Sequence, residues 1–164
     1  MKNSVLWTFT TALGATAAAL SGVSFAAPPA AQAQSRAAVE SVLHSVESAM
    51  ARGDTAEKVS KMLYADDVVI TEDEPGSMRG IAAATKGVQD FFDALGPGGG
   101  KGCKFTIVDP VVASGTTFSS FLFLSCKANP PVLKDELDMR LTYTWKKLPQ
   151  GWRVVLETVQ AGKF

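Results

Sequence analysis

Apolar residues recur at helical spacing between Ser35 and Arg52, at Val39, Val42, Leu43, Val46 and Met50, which predicts an amphipathic helix that Gly53 ends. A second helix is expected to open at Asp54, with Glu57 three residues on as in a capping box, and to bury Val59, Met62 and Leu63. A third, Ile81 to Leu95, carries Ile81, Ala84, Val88, Phe91, Phe92 and Leu95 on one side and stops at Gly96-Pro97. Between the last two lies Val68 to Asp73, a β-branched run that reads as a short strand. The glycine-rich stretch Gly96 to Gly102 reads as a mobile loop.

From Cys103 onward the pattern changes to period two. Leu137, Met139, Leu141, Tyr143 and Trp145 alternate with Asp138, Arg140, Thr142, Thr144 and Lys146, and Trp152 to Gln160 returns after a turn at 148–151. Cys103 to Ala113 and Thr116 to Lys127 flank Ser114-Gly115, a candidate hairpin turn. That turn would place Cys103 opposite Cys126, Phe105 by Leu124, Ile107 by Leu122 and Val111 by Phe118, all on one face. A cross-strand disulfide between Cys103 and Cys126 is expected, the alternative being two buried thiols. A bulge near Pro110, which has no N–H for the ladder, would shift the register. Three helices segregated from a long antiparallel sheet make an α+β domain.

Charge and composition then narrow the function. The 164 residues hold 16 basic and 16 acidic side chains; residues 1–33 contain Lys2 and no acid, leaving 15 basic against 16 acidic in 34–164. Such a balance provides no basic face for nucleic acid and no polybasic segment for anionic lipid. Lys2, the uncharged stretch Val5 to Leu20 and the small-x-small sequence Ala31-Gln32-Ala33 read as a signal peptide over 1–33, with cleavage after Ala26 as the alternative. The run is short and weakly apolar for a membrane span, which needs about 20 apolar residues. The mature chain, 34–164, is then a single exported domain, periplasmic or secreted, with no membrane contact after processing. Export also permits a disulfide. One histidine, His44, placed off the apolar stripe, and two cysteines give a zinc cage little support, so neither metal nor cofactor is expected.

The order of "ARGD" (51–54), "LYADDVVI" (63–70), "RG" (79–80) before a helix and "MRLTYTWKKLPQGWRVV" (139–155) resembles the SnoaL-like branch of the nuclear transport factor-two-like superfamily, which includes ketosteroid isomerase. The resemblance spans about Ser35 to Gln160. It implies a cone: three N-terminal helices packed on a strongly curved antiparallel sheet, with an apolar pocket at the open end and frequent homodimers. Phe121 and Phe123, on the face opposite Leu122 and Leu124, fit a partner covering the second face.

The resemblance further implies a carboxylate base on the strand after "ADD". By spacing that position falls on Glu72, with Asp73 one step away; Asp66 and Asp67 then have structural roles. Glu72 shares strand parity with Val68 and Ile70. Two isomerase features are absent. The positions of the oxyanion-binding tyrosine and protonated acid fall on Val46 and Leu141, and only Tyr64 and Tyr143 remain as substitutes. The histidine and serine of many SnoaL-like last strands read here Thr158 and Gln160, so polyketide cyclisation has poor support. The candidate pocket residues are Val46, Tyr64, Ile70, Met139, Leu141, Tyr143 and Trp145, with aromatics at strand period serving equally well as plain core. Three readings stay open: a binder of a small apolar molecule, an isomerase, lyase or hydratase using Glu72 as base, and a non-catalytic interaction module. In the bland alternative Glu72 is a strand-end carboxylate and "TEDEPGS" (71–77) a solvated turn.

Overall fold

The computed structural model describes residues 29–72, 77–129 and 134–162. The expected signal segment lies mostly outside them; its last residues form the start of the first helix, α1 (Pro29–Arg52), which begins six residues earlier than the apolar stripe predicts. Val39, Leu43, Val46 and Met50 are buried along it. Gly53 closes it at φ 78°, donating to Met50 O while Asp54 N donates to Ala49 O, the paired bonds of a Schellman motif. Helix α2 (Ala56–Leu63) is capped by Thr55, whose Oγ1 accepts from Lys58 N, and not by Asp54. The Asp54 carboxylate is instead held by Arg52 at 2.7 Å and Lys58 at 3.0 Å.

Strand β1 (Tyr64–Thr71) follows α2 without a loop and starts four residues before the expected strand. A three-residue strand, β2 (Ser77–Arg79), pairs antiparallel with it and had no sequence signal of its own. Helix α3 (Gly80–Leu95) comes next, then a tight 3-10 turn (Gly99–Gly102). The four remaining strands are β3 (Cys103–Ser114), β4 (Thr117–Cys126), β5 (Leu137–Leu148) and β6 (Gly151–Ala161). They complete a curved, unclosed six-stranded sheet of order β2-β1-β6-β5-β4-β3, with the three helices packed on it. The sheet is mixed, not purely antiparallel. β1 runs parallel to β6, a pairing that joins the two ends of the domain through the long crossover parallel strands require.

The β3–β4 hairpin turns one residue later than expected, with Ser114 opposite Thr117. Two register shifts, between Ile107 and Asp109 and between Pro110 and Val112, move the pairing back. The far end therefore carries the expected partners, Ile107↔Leu122, Phe105↔Leu124 and Cys103↔Cys126, while Phe118 lies opposite Ala113 and not Val111. Cys103 and Cys126 form a disulfide. The glycine stretch after α3 is packed: a Cβ on Gly99 would lie 2.5 Å from Leu95 Cβ, and one on Gly100 would lie 2.9 Å from Met50 O. Only glycine allows so close an approach.

Helix α1 is docked on edge strand β3 by Glu47, a buried carboxylate that accepts the Phe105 backbone N–H at 2.7 Å. The bond satisfies an edge N–H that a second sheet would otherwise recruit. His44 stands exposed beside it, 3.1 Å from the other Glu47 oxygen. At the narrow end of the cone Trp145 is fully buried and donates its indole N–H to Ser120 Oγ at 3.0 Å. Among the described residues no helix is long and apolar enough to cross a membrane.

The disulfide closes a 23-residue separation. Replacing both cysteines by serine is expected to lower stability by about 3 kcal/mol in chemical denaturation while leaving the far-ultraviolet spectrum unchanged.

Candidate functional site

The side chain that organises the interior sits on β6. Trp152 and Val154 face the core, and strict alternation would turn Leu156 inward and Glu157 outward. The β5–β6 pairing instead steps from Trp145↔Val154 to Thr144↔Leu156, leaving Val155 as an extra residue. This bulge reverses the parity of the strand beyond it. Leu156 is consequently 41% exposed and Glu157 4% exposed.

Glu157 lies opposite Tyr143 on one side and beside Ile70 of β1 on the other. Tyr64, at the start of β1, donates its hydroxyl to Glu157 Oε2 at 2.5 Å. The Tyr143 hydroxyl is directed at the same carboxyl and lies beside the Tyr64 hydroxyl, so one carboxyl and two phenols gather in a triangle. Burial disfavours the charged carboxylate and pushes Glu157 up from 4.5 to about 7. The two phenols act the other way, and the nearby charge of Glu72 adds to the rise. Burial, with the charge of Glu157 next, holds both tyrosines well above the ordinary 10, so they stay protonated donors.

The triangle forms the polar floor of a cavity of about 140 Å³. Its walls are apolar: Val46 and Met50 from α1, Val88 and Phe91 from α3, and Leu141 and Val159 from the sheet. Glu72, one residue past β1 and exposed, reaches the same space on the parity of Val68 and Ile70. No lysine, arginine or histidine stands among the described lining residues.

Of the residues singled out in the sequence, Val46, Tyr64, Ile70, Met139, Leu141 and Tyr143 line this cavity together with Glu72. Trp145 does not: its ring packs edge-on against Tyr143 at 5.4 Å on the far side from the cavity lining and belongs to the core. Asp73 lies outside the described residues. Asp66 and Asp67 are exposed on β1. Val46 and Leu141 supply no donor, and the two tyrosines named as substitutes point to Glu157. Glu157 itself was missed. Its signal was a conflict of parity within "WRVVLETVQ": Trp152 and Val154 fix one phase, Val159 between Thr158 and Gln160 fixes the other, and only a bulge reconciles them. Among the described residues no three His, Cys, Asp or Glu side chains gather as metal ligands.

Chemically, a neutral Glu157 is a hydrogen-bond donor in a mostly apolar pocket, and its anion is a base stabilised by the neighbouring phenols. Glu72 offers a second, better solvated carboxylate across the same space.

No protein-family model and no curated protein sequence matches the chain. Solved structures do. An NTF-2-like protein of unknown function from Shewanella oneidensis superposes with TM-score 0.61 at 16% identity, covering 76% of this chain and 97% of that one. A ketosteroid isomerase-like protein from Erwinia carotovora gives 0.59 at 14%, over 78% and 96%. An NTF2-like protein with a cystatin-like fold from Novosphingobium aromaticivorans gives 0.59 at 16%, over 77% and 81%. The chain thus has the cone fold of the nuclear transport factor-two-like superfamily.

The shift of Glu157 ties stability to pH. The folded state keeps the proton up to about 7 while the unfolded chain releases it near 4.5, so stability falls as pH rises across that interval. The loss from this group is roughly 3 kcal/mol. In Glu157→Gln the carboxyl is replaced by a neutral amide, and the unfolding free energy of the variant minus that of wild type is expected to rise from pH 4.5 to 7, as wild type alone loses stability, and then level off. Urea titrations at several pH values measure it; a difference independent of pH contradicts the assignment.

Proposed function

We propose that the chain is an exported binding protein whose cone takes one small, uncharged, mostly apolar molecule, with a single acceptor oxygen directed at Glu157. The observation that carries this reading is a buried carboxyl that accepts the Tyr64 hydroxyl, with the Tyr143 phenol beside it, at the floor of an otherwise apolar cavity of about 140 Å³. A dry apolar cavity of about 150 Å³ accommodates benzene, which sets the scale at one ring. Below its pKa Glu157 donates to the ligand oxygen. The acidic lining disfavours anions. Export is supported by the signal-like residues 1–33 and by the Cys103–Cys126 disulfide, which suits an oxidising compartment.

A specific observation favours a second reading, proton transfer at carbon. Two carboxyl groups of unlike environment, Glu157 and Glu72, reach one apolar cavity, an arrangement that separates an acid from a base. In that reading Glu157 holds the carbonyl oxygen and Glu72 removes the neighbouring proton. The structural likeness to a ketosteroid isomerase-like protein agrees with it.

Acetophenone, one ring with one carbonyl, is the probe. Titration calorimetry is expected to give saturable binding that weakens about tenfold per pH unit above 7 and becomes pH-independent in Glu157→Gln; Glu72→Gln keeps the low-pH affinity, with the weakening beginning at lower pH because the Glu72 charge no longer raises Glu157. Absence of saturable binding overturns the binding reading. Exchange of the ketone methyl protons into D₂O, followed by NMR, tests the second reading: exchange above the protein-free rate should disappear in Glu72→Gln.

We also propose that the outer sheet face pairs with a second copy. Val108, Phe121 and Leu156 are 37–43% exposed there. Sedimentation equilibrium should give a dimer that Phe121→Glu converts to monomer; a wild-type monomer at micromolar concentration removes the idea.

A further inference from the structure

A second space lies beside the cone cavity. It measures about 130 Å³ and is lined by Asp54 and by five glycines: Gly53, Gly96, Gly98, Gly99 and Gly100. Two side chains, Met50 of α1 and Phe92 of α3, line both this chamber and the Glu157 cavity. Both residues therefore border both spaces.

We propose that Met50 and Phe92 form a partition that sets the length of ligand the cone accepts, and that the glycine chamber is a second subsite for the tail of a longer apolar ketone or similar chain. The proposal rests on the cavity reading given above. Three observations carry it. The chamber is bordered largely by backbone, because five of its lining residues are glycines, and two of these, Gly99 and Gly100, pack against Leu95 and Met50 too closely for a Cβ. That backbone is also tied down. Asn129 Nδ2 donates to Leu95 O at 3.3 Å and to Pro97 O at 3.2 Å, Lys127 N donates to Gly102 O at 3.3 Å, and the disulfide begins at the next residue, Cys103. The wall, by contrast, consists of an unbranched thioether and a partly buried ring, side chains that change rotamer more readily than a cross-linked backbone moves. Removing either one joins two spaces of nearly equal size.

The experiment compares 2-heptanone and 2-tridecanone, with acetophenone as control, on wild type, Met50→Ala and Phe92→Ala. Titration calorimetry is expected to show the affinity for 2-tridecanone, relative to that for 2-heptanone, rising at least tenfold in each variant over wild type. The Gly98, Gly99 and Gly100 amide resonances should shift with 2-tridecanone in the variants and stay in place with 2-heptanone. Met50→Leu, which keeps the wall, should behave as wild type and guards against a folding defect in the alanine variants. Acetophenone binding without any gain for the long ketone, or a gain with the glycine amides unmoved, overturns the partition and leaves the cavity reading standing. Failure of all three ketones to bind any form overturns both.

Discussion

Burying a carboxyl group away from water is unfavourable unless its oxygens find donors, and more so if it is charged. In this cone the donors are two phenols, one from the first residue of β1 and one from the middle of β5, and both are available only because the strands carrying them flank β6. The mixed pairing, β1 parallel and β5 antiparallel to the same strand, is what brings Tyr64 and Tyr143 to one carboxyl. A single extra residue, Val155, turns that carboxyl inward. Without the bulge the sheet would present Leu156 to the cavity, and the two hydroxyls would have no acceptor there.

The rest of the domain protects this arrangement. α1 and α3 close the helical side of the cavity with Val46, Met50, Val88 and Phe91, so the triangle has apolar neighbours. The low polarity that raises Glu157 also strengthens its hydrogen bonds, because both effects come from the same loss of solvent. At the other end of α1, Glu47 spends its carboxylate on a backbone N–H of β3, which holds the helix against the edge strand. The two buried glutamates thus play opposite parts. Glu47 is consumed by a fixed structural bond, whereas Glu157 faces a space large enough for another molecule.

Much of the fold was legible from periodicity alone. Three amphipathic helices and the inward face of β5 follow from residue spacing, because each of these elements keeps one period over its described length. The hairpin of β3 and β4 is a sharper case. The expected turn was one residue early, yet the cysteines still met, because two register shifts on β3 offset a turn displaced to Gly115 and Thr116. The agreement at Cys103↔Cys126 therefore came from compensating displacements, and Phe118 opposite Ala113 exposes them. The direction of β1 against β6 and the strand β2 were illegible, since alternation fixes which face a residue takes and says nothing about the neighbour's direction. The candidate site was half legible. Met139, Leu141 and Tyr143 follow from strand parity, as does Glu72, and Val46 from helical spacing, whereas Tyr64 precedes the strand that the sequence predicts. Glu157 did not follow, because a bulge is a local break in the very period from which faces are read.

That break also explains why the polar floor differs from the one the family resemblance implies. At the two positions where the resemblance places donors, the chain has Val46 and Leu141, and both are simply cavity wall. The donors have moved to Tyr64 and Tyr143, and the group they serve is a carboxyl on the last strand. A cone tolerates such a transfer because every inward position of its sheet faces the same small volume, so a polar group brought in from one strand can meet partners from any other. The constraint that survives is physical and does not depend on position: an acid inside an apolar cavity must bring its own hydrogen-bond donors, and here it does so with groups that cannot neutralise it. The proton that Glu157 keeps near neutral pH is the direct result, and it is the property that makes the cavity floor chemically different from its walls.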